Sequence, residues 1–231
     1  MTAAFTNYNR TELLFEAIAP FLADDRITEI IISDDCSQED IYQTVLWKYN
    51  GADKVKIYRN ETNLDCYRNK KKAVSLASNE WVLLLDSDNI FSPHFIDVIF
   101  EQDLKKNVAY APEWAMPHFN FTELSGVEIK RSNVANLLDK GQCSTMLNAM
   151  NYLVNREEYL RTFGLSGNLD PVTSDSIFQN YNWLKGGNSI YVVPGLRYEH
   201  RVHTGSHYQN NVKRTPSGFH DSIIDKLKQM K

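Results

Sequence analysis

Glycine is missing from the first 50 residues, and the whole chain of 231 residues contains only ten. Folds that bind dinucleotides place a glycine-rich turn after their first strand, because only glycine lets the backbone approach a phosphate closely. The first predicted strand is followed by Asn7-Tyr8-Asn9-Arg10, which contains no glycine. This absence excludes a Rossmann-type dehydrogenase or methyltransferase.

Cysteine is also scarce. The three cysteines, Cys36, Cys66 and Cys143, are widely spaced and form no C-x-x-C pair. This pattern argues against a disulfide framework and a structural zinc site, and it favours a reducing compartment. Long apolar runs are missing as well: no window reaches the roughly 18 apolar residues of a membrane span, and the N-terminus lacks a signal-peptide layout. We therefore expect a soluble, cytoplasmic protein.

An excess of positive charge is lacking, since the net charge is -4 and the isoelectric point is near 5.9. Nucleic-acid binders usually carry a basic face, so we expect no nucleic-acid partner. The C-terminal tail, residues 197–231, differs because it holds seven basic residues against three acidic ones. That tail is either an ordinary solvated face or a surface that contacts phosphates or a membrane.

The chain does contain a regular alternation of strand and helix patterns. Apolar and β-branched runs predict strands at residues 2–6, 27–33, 55–58, 81–85 and 107–111. Helical patterns lie between the first four strands and return at residues 127–138 and 174–185. This alternation predicts an α/β fold with a mainly parallel central sheet and helices on both faces. No linker is evident, so we expect a single domain over residues 1–231.

The first helix is expected to begin with a capping box formed by Asn9 and Glu12. Its buried face is expected to carry Leu14, Ile18 and Leu22, which recur at helical spacing.

The sequence Asp86-Ser87-Asp88 directly follows the most apolar predicted strand. Ligands of parallel sheets bind at the carboxyl ends of the strands, so this acidic pair falls where a site is expected. Two neighbouring carboxylates repel each other, and they suit a hard cation such as Mg²⁺ or Mn²⁺ that also binds substrate phosphates. The alternative is a solvated turn stabilised by the aspartate side chains.

A second acidic pair, Asp34-Asp35, ends the predicted strand at residues 27–33. One interpretation is a carboxylate that accepts an N–H from the edge of a nucleotide base. The other is a cluster that satisfies the first amides of the following helix, which Ser37 is expected to cap.

Four groups of residues, in this order, resemble the family-2 glycosyltransferases over roughly the first hundred residues. The groups are Thr6-Asn7-Tyr8-Asn9-Arg10, Ser33-Asp34-Asp35-Cys36-Ser37, Asn63-Leu64-Asp65 with Arg68-Asn69, and Leu85-Asp86-Ser87-Asp88. The last contains a DxD motif. The resemblance implies a GT-A (nucleotide-diphospho-sugar transferase) fold, with a nucleotide-binding half at residues 1–110 and an acceptor-binding half at 111–231. The sequence departs from the family at Cys36, where glycine often stands.

The resemblance also implies roles for individual residues. The predicted nucleotide-sugar contacts are Thr6, Tyr8, Arg10, Asp34, Asp35, Arg68, Asp86 and Ser87. Within this set the Asp34-Asp35 pair would read the base, most often uracil, and Asp86 would lie near the ribose. Asp88, with Asp86, would hold Mn²⁺ or Mg²⁺.

Members that invert the anomeric centre carry an acidic residue at the head of a helix, which acts as the base. The matching residue here is Asp175, with Asp170 as a weaker candidate. The alternative for Asp175 is a plain helix N-terminal carboxylate, stabilised by the helix dipole. Many GT-A enzymes also use a late histidine as a metal ligand, and His203 is the choice here, with His200 as the alternative.

A group of aromatic residues lies in and after the fifth predicted strand: Tyr110, Trp114, His118, Phe119 and Phe121. They form either a platform for an acceptor sugar or ordinary core packing.

The expected function is metal-dependent transfer of a sugar from a UDP-sugar to an acceptor hydroxyl, with inversion, in polysaccharide biosynthesis. The acceptor would be a saccharide, a lipid-linked molecule or a protein, and the basic tail would allow contact with a membrane surface. One alternative is a sugar nucleotidyltransferase, although that class needs a glycine-rich basic loop after the first strand. Another is a catalytically inactive carbohydrate-binding domain of the same fold.

Overall fold

The computed structural model describes residues 1–139, 142–149, 151–167, 169, 171–203, 206, 209 and 211–230. In this part of the chain the strands are β1 (Thr2–Asn7), β2 (Glu29–Asp34), β3 (Val55–Arg59), β4 (Trp81–Asp86), β5 (Val108–Met116), β6 (Phe119–Asn120), β7 (Glu128–Ile129), β8 (Tyr152–Asn155) and β9 (Ser189–Glu199). The helices are α1 (Glu12–Ala23), α2 (Glu39–Lys48), α3 (Asp65–Leu76), α4 (Pro93–Phe100), α5 (Val134–Leu138), α6 (Cys143–Leu147), α7 (Arg156–Thr162), α8 (Asp175–Lys185) and α9 (Phe219–Lys228). None of the helices described has both the length and the apolar character needed to cross a lipid bilayer.

The strands form one sheet in the order β3-β2-β1-β4-β8-β5-β9-β7, with β6 paired to β5. The first four strands of this order are parallel to one another. Three of them, β1, β2 and β4, are apolar and buried on both faces, as is typical of a parallel sheet, whereas β3 lies at the edge of the sheet. Strand β8 lies antiparallel between β4 and β5, and β9 runs parallel to β5. The prediction of an α/β fold with a mainly parallel central sheet is confirmed, and the sheet includes strands from both halves of the chain.

Helices cover both faces of the sheet because successive side chains of each buried strand point to opposite sides. In β1, Ala3 and Phe5 belong to the core beneath α1 and α4, where Phe5 packs edge-on against Phe21 with 5.4 Å between ring centroids. Ala4 points the other way, into the core formed with α3, α8 and α9. The acidic residues that follow β2 and β4 therefore emerge at one edge of a sheet that is rigidly packed on both sides.

The start of α1 differs from the predicted capping box. The helix begins at Glu12 after Thr11, and no side chain caps its first amides. Asn9 has a left-handed φ of 53°, and its Oδ1 accepts a hydrogen bond of 2.8 Å from the Gln38 backbone amide. Asn9 therefore ties the loop after β1 to the start of α2, a contact distant in sequence that the local spacing does not reveal.

The buried face of α1 also differs from the prediction at one position. Its buried residues are Leu14, Ala17, Ile18 and Phe21, whereas Leu22 is 38% exposed. Because a helix turns 100° per residue, Leu22 lies at the border of this face.

The predicted helix at residues 127–138 is only partly correct. Glu128–Ile129 form the short edge strand β7, which pairs antiparallel with β9, and helix α5 begins only at Val134. Pairing with β9 satisfies backbone groups that a longer helix would otherwise use, so tertiary structure overrides the local pattern.

Candidate active site

A cleft of two adjoining chambers lies at the carboxyl ends of β1, β2 and β4. The β1–β2 chamber has a volume of about 690 Å³ and is lined by the loop after β1 and by Asp35, Asn63 and Arg214. The β4–α8 chamber has a volume of about 620 Å³ and is lined by residues that include Asp86 and Asp175. Thr6, Arg10 and Cys66 line both chambers, which therefore meet along these three side chains.

The members of the Asp34-Asp35 pair have different surroundings. Asp34 is 1% exposed, and its carboxylate accepts hydrogen bonds from the Ser37 amide (2.9 Å), the Ser37 hydroxyl (2.6 Å) and Asn7 Nδ2 (3.0 Å). Asp34 lines neither chamber, and the structure therefore does not bring it to the cleft with the other predicted nucleotide contacts. Ser37 uses its hydroxyl to hold Asp34 and is not the cap of α2, which follows Gln38. Asp34 thus links Asn7 at the end of β1 to Ser37 in the loop after β2.

Asp35 instead lines the β1–β2 chamber. Its Oδ1 accepts hydrogen bonds from Asn60 Nδ2 (2.9 Å) and from the Leu64 backbone amide (2.8 Å), which fix its direction. Burial raises the pKa of the Asp35 carboxyl above its ordinary value, although these hydrogen bonds act in the opposite direction. Tyr8, which is 49% exposed, lines the same chamber and offers an aromatic face.

Asp88 is the meeting point of three segments. Its Oδ2 lies 3.2 Å from Arg10 Nη1, in the loop after β1, and 3.0 Å from His203 Nε2, beyond the end of β9. Ile90 and Glu199 exchange two backbone hydrogen bonds of 3.0 Å each, and this bridge brings the loop after β4 beside the segment that carries His203.

Asp86 and Ser87 have other surroundings. The Asp86 backbone amide donates a 2.8 Å hydrogen bond to Oδ1 of buried Asn151, which fixes the end of β4, and the Asp86 side chain lines the β4–α8 chamber. Ser87 is fully buried, lines neither chamber, and its hydroxyl has no hydrogen-bond partner within the described chain. The structure thus separates Ser87 from the other predicted nucleotide-sugar contacts.

Lys70 lies at the floor of the β4–α8 chamber, between Asp86 and Asp175. Its Nζ is 2.7 Å from Asp175 Oδ2 and 3.4 Å from Asp86 Oδ1, and its side chain is only 5% exposed. Burial alone would lower the pKa of the Lys70 ammonium, but the charges of Asp175 and Asp86 outweigh that effect and raise its pKa. The Cys66 thiol also contacts Asp175 Oδ2, at 3.5 Å.

Sequence reasoning missed Lys70 and placed the cation of this helix at Arg68. Arg68 is exposed on α3 and lines neither chamber, because residues two positions apart on a helix point about 200° apart. The sequence does contain a signal for the burial of Lys70. It lies three and four residues before the apolar Ala73 and Val74, which are fully buried in the structure. A lysine at that spacing lies on the face that packs against the sheet.

The two candidate histidines line different chambers. His203 lines the β1–β2 chamber and lies within hydrogen-bonding distance of Asp88. His200 lines the β4–α8 chamber, where its ring packs against Phe119 with 5.2 Å between centroids, and burial lowers its pKa. Asp170, the weaker candidate for the base, lies outside the described residues.

The donor chemistry around Asp88 suits a hard divalent cation only in part. No group of three or more His, Cys, Asp or Glu side chains within the described ranges is arranged as a metal site, since the Asp86 carboxylate contacts Lys70 instead. Asp88 and His203 do provide a carboxylate and an imidazole at one point. Mn²⁺ and Mg²⁺ prefer oxygen ligands and commonly combine one or two carboxylates with phosphate oxygens of a substrate. The Asp88 carboxylate fits such a cation, and His203 would add a nitrogen ligand beside it.

Two of the five residues of the predicted aromatic platform, Tyr110 and Phe121, belong to the core. Trp114 is half-buried and His118 is exposed, and neither lines either chamber. Tyr110 is 3% exposed, and its hydroxyl donates to the Asp103 carbonyl and accepts from the Lys105 amide. Phe121 is 1% exposed. Phe119, in contrast, is 37% exposed and lines the β4–α8 chamber, so it alone of these five offers an aromatic face to the cleft.

Comparison with known proteins agrees with this architecture. The family model for glycosyl transferase family 2 matches residues 3–123, slightly more than half of the chain. The structure is similar to S. aureus TarS 1-349 in complex with UDP-GlcNAc, with a TM-score of 0.69 and 14% identity over 98% of this chain and 70% of that one. It is also similar to the mannosyltransferase PcManGT from Pyrobaculum calidifontis in complex with GDP-Man and Mn²⁺, with a TM-score of 0.64 and 14% identity over 98% of this chain and 68% of that one. At these identities the likeness shows a shared GT-A fold. No curated protein matches the sequence.

Proposed function

This chain belongs to glycosyl transferase family 2, and we propose that it transfers a sugar from a UDP-sugar to an acceptor hydroxyl with inversion. The observation that carries the proposal is the common cleft: Asp88 and Asp175 line one chamber, and Arg10 connects it to the chamber that contains Asp35. The cleft can thus hold a nucleotide base, a diphosphate and an acceptor side by side along the ends of the strands. The whole chain acts as one unit, with the nucleotide bound mainly by residues 1–110.

The nucleotide base lies in the β1–β2 chamber. The Asp35 carboxylate, directed by Asn60 and Leu64, accepts the N3–H of uracil, and Tyr8 stacks on the ring. An aromatic face stacks on any base, so the preference for uracil comes from the hydrogen bond to Asp35. The complex of TarS 1-349 with UDP-GlcNAc supports a uridine nucleotide in a fold of this shape.

The diphosphate lies where the two chambers meet, beside Arg10, Asp88 and His203. The Arg10 guanidinium is within 3.2 Å of Asp88 and can donate to phosphate oxygens. Asp88 and His203 would hold Mn²⁺ or Mg²⁺, which when bound supplies Lewis-acid neutralisation of the leaving diphosphate. The PcManGT complex with GDP-Man and Mn²⁺ supports a divalent cation in this fold.

The acceptor enters the β4–α8 chamber, where Asp175 lies at the first residue of α8. The acceptor oxygen forms a bond to the anomeric carbon, and the bond from that carbon to the diphosphate oxygen breaks, with its electron pair leaving on UDP. The proton of the attacking hydroxyl passes to the Asp175 carboxylate. A base positioned in this way typically contributes about 10² to 10⁴ to the rate.

The basic tail contributes less free charge than its sequence indicates. Arg201 pairs with Glu16, and Arg214 lies 3.1 Å from Asp65. These ion pairs neutralise two of the basic side chains that a membrane surface would attract. Arg214 and Asp65 also line the β1–β2 chamber, so this part of the tail borders the cleft.

The proposal is tested by incubating the chain with UDP-, GDP- and CMP-sugars and Mn²⁺ and measuring the nucleotide released. We expect release of UDP from a UDP-sugar, faster with a saccharide acceptor, and a loss of release in Asp88→Asn. Asp221→Asn, at a side chain that is 87% exposed, is the matched control. Binding without release would favour an inactive carbohydrate-binding domain. Formation of a UDP-sugar from UTP and a sugar 1-phosphate would favour a nucleotidyltransferase.

A further inference from the structure

Lys70 is a buried cation that joins two carboxylates from different elements. Asp86 ends β4 and Asp175 begins α8, while Lys70 itself lies on α3. Taking an ammonium out of water is costly and is offset only by close partners. The 2.7 Å and 3.4 Å contacts of Nζ meet that condition, and both carboxylates also line the chamber that receives the acceptor in the proposed function.

The position of this charge on α3 is specific. Lys70, Lys71 and Lys72 are consecutive, yet Lys71 and Lys72 are exposed and only Lys70 is buried. Cys66, one helical turn before Lys70, contacts the same oxygen of Asp175. One face of α3 therefore supports the Asp175 side chain at two points, as residues four apart on a helix share a face.

We propose that Lys70 is a positioning residue that holds the Asp175 carboxylate on the chamber wall and balances its charge against that of Asp86. This inference rests on the proposed function, in which Asp175 accepts the proton of the acceptor hydroxyl. A proton acceptor must lie within hydrogen-bonding reach of the attacking group, so a carboxylate that is free to rotate away loses most of its effect. Lys70 prevents that rotation, and it separates two like charges that would otherwise repel across the chamber.

The test is a double-mutant cycle of Lys70→Met and Asp175→Asn, measured as turnover and as KM for the donor. Lys70→Met should lower kcat by about 10- to 100-fold, part of the contribution of a positioned base, with donor KM changed by less than about threefold. In the Asp175→Asn background Lys70→Met should have no further effect on kcat, because its action passes through Asp175. Lys72→Met, an exposed neighbour on the same helix, is the matched control.

Two results would overturn the inference. One is a kcat of the double variant that is lowered by the product of the two single-variant losses, and the other is a Lys70→Met variant in which only the donor KM changes. Lys70→Arg keeps the positive charge and should retain more turnover than Lys70→Met. If Lys70→Met unfolds, Lys70→Gln replaces it in the same cycle. Its loss of kcat should disappear in the Asp175→Asn background, and either no loss in the wild-type background or a loss that persists in Asp175→Asn contradicts the inference.

Failure of the proposed function is distinguishable from failure of this inference. If the wild-type chain releases no nucleotide from any donor, or if Asp175→Asn turns over at the wild-type rate, the proposed function fails. If Asp175→Asn is slow while Lys70→Met matches Lys72→Met, only the role of Lys70 is wrong.

Discussion

Asp88 and His203 are 115 residues apart in the sequence, yet Asp88 Oδ2 and His203 Nε2 lie 3.0 Å apart. The contact joins the loop after β4 to the segment after β9, and the backbone bridge between Ile90 and Glu199 supports it. The C-terminal part of the chain therefore contributes a side chain to the candidate site at the ends of the N-terminal strands. Arg10, at 3.2 Å from the same Asp88 oxygen, adds a third segment to this junction.

The first prediction concerns His203. Replacement by alanine should raise the Mn²⁺ concentration needed for half-maximal nucleotide release, because it removes the imidazole beside Asp88. Mn²⁺ titrations of His203→Ala, His200→Ala and His94→Ala measure the effect, with exposed His94 on α4 as the control. If this Mn²⁺ concentration rises in His200→Ala but not in His203→Ala, the assignment of His203 as the metal ligand is wrong.

The second prediction concerns the base. Calorimetry should show UDP binding at least about tenfold tighter than GDP, a difference of about 1.4 kcal/mol. Asp35→Asn should reduce this preference, since the amide offers a donor where the carboxylate accepts on both oxygens. Asp25→Asn, at an exposed position, should leave it unchanged. Equal affinities of the wild-type chain for UDP and GDP would exclude uracil recognition by Asp35.

The third prediction concerns stability and Glu29, a buried carboxylate in β2. Burial alone would raise its pKa, but hydrogen bonds from Lys56, Thr2 and Ser78 outweigh that effect and lower the pKa to about 2. Because the folded pKa lies below the ordinary value of 4.5, the carboxylate stabilises the fold fully above that value and loses its effect as the pH falls toward 2.

Glu29→Gln should therefore lower the free energy of unfolding by about 1–3 kcal/mol near pH 7. The difference from the wild-type chain should shrink as the pH falls from 4.5 toward 2. Urea unfolding of both proteins across this range measures it, with exposed Glu101→Gln as the control. A difference that stays constant with pH would show that the charge of Glu29 contributes nothing.

The first five strands, and the strand ends that carry the candidate site, could be predicted from the sequence. Strands β6 to β8 and the partners of the site residues could not. Apolar runs that end in Asp34-Asp35 and Asp86-Ser87-Asp88 locate the edge of a parallel sheet, because strand periodicity is a local property. Which aspartate enters the cleft depends on contacts distant in sequence, such as Asn7 to Asp34. The two members of one pair thus have different environments that no local pattern distinguishes.

The same limit explains Lys70. The resemblance to the family assigns a role to Arg68, whereas Lys70 is the first of three consecutive lysines, of which the other two are exposed. Its burial is decided by α8, which brings Asp175 to α3 from 105 residues away. The role of Asp175 itself stays a prediction.

In the proposed reaction, Asp175 accepts the proton of the acceptor hydroxyl during sugar transfer from a bound nucleotide-sugar. The most direct test compares Asp175→Asn with the wild-type chain by calorimetry of donor binding and by turnover with an acceptor. We expect donor affinity within about threefold of wild type and a fall in turnover of about 10² to 10⁴, because asparagine keeps the shape and removes the charge. Turnover near the wild-type rate in Asp175→Asn, with the loss appearing in Asp170→Asn or in neither variant, would contradict it.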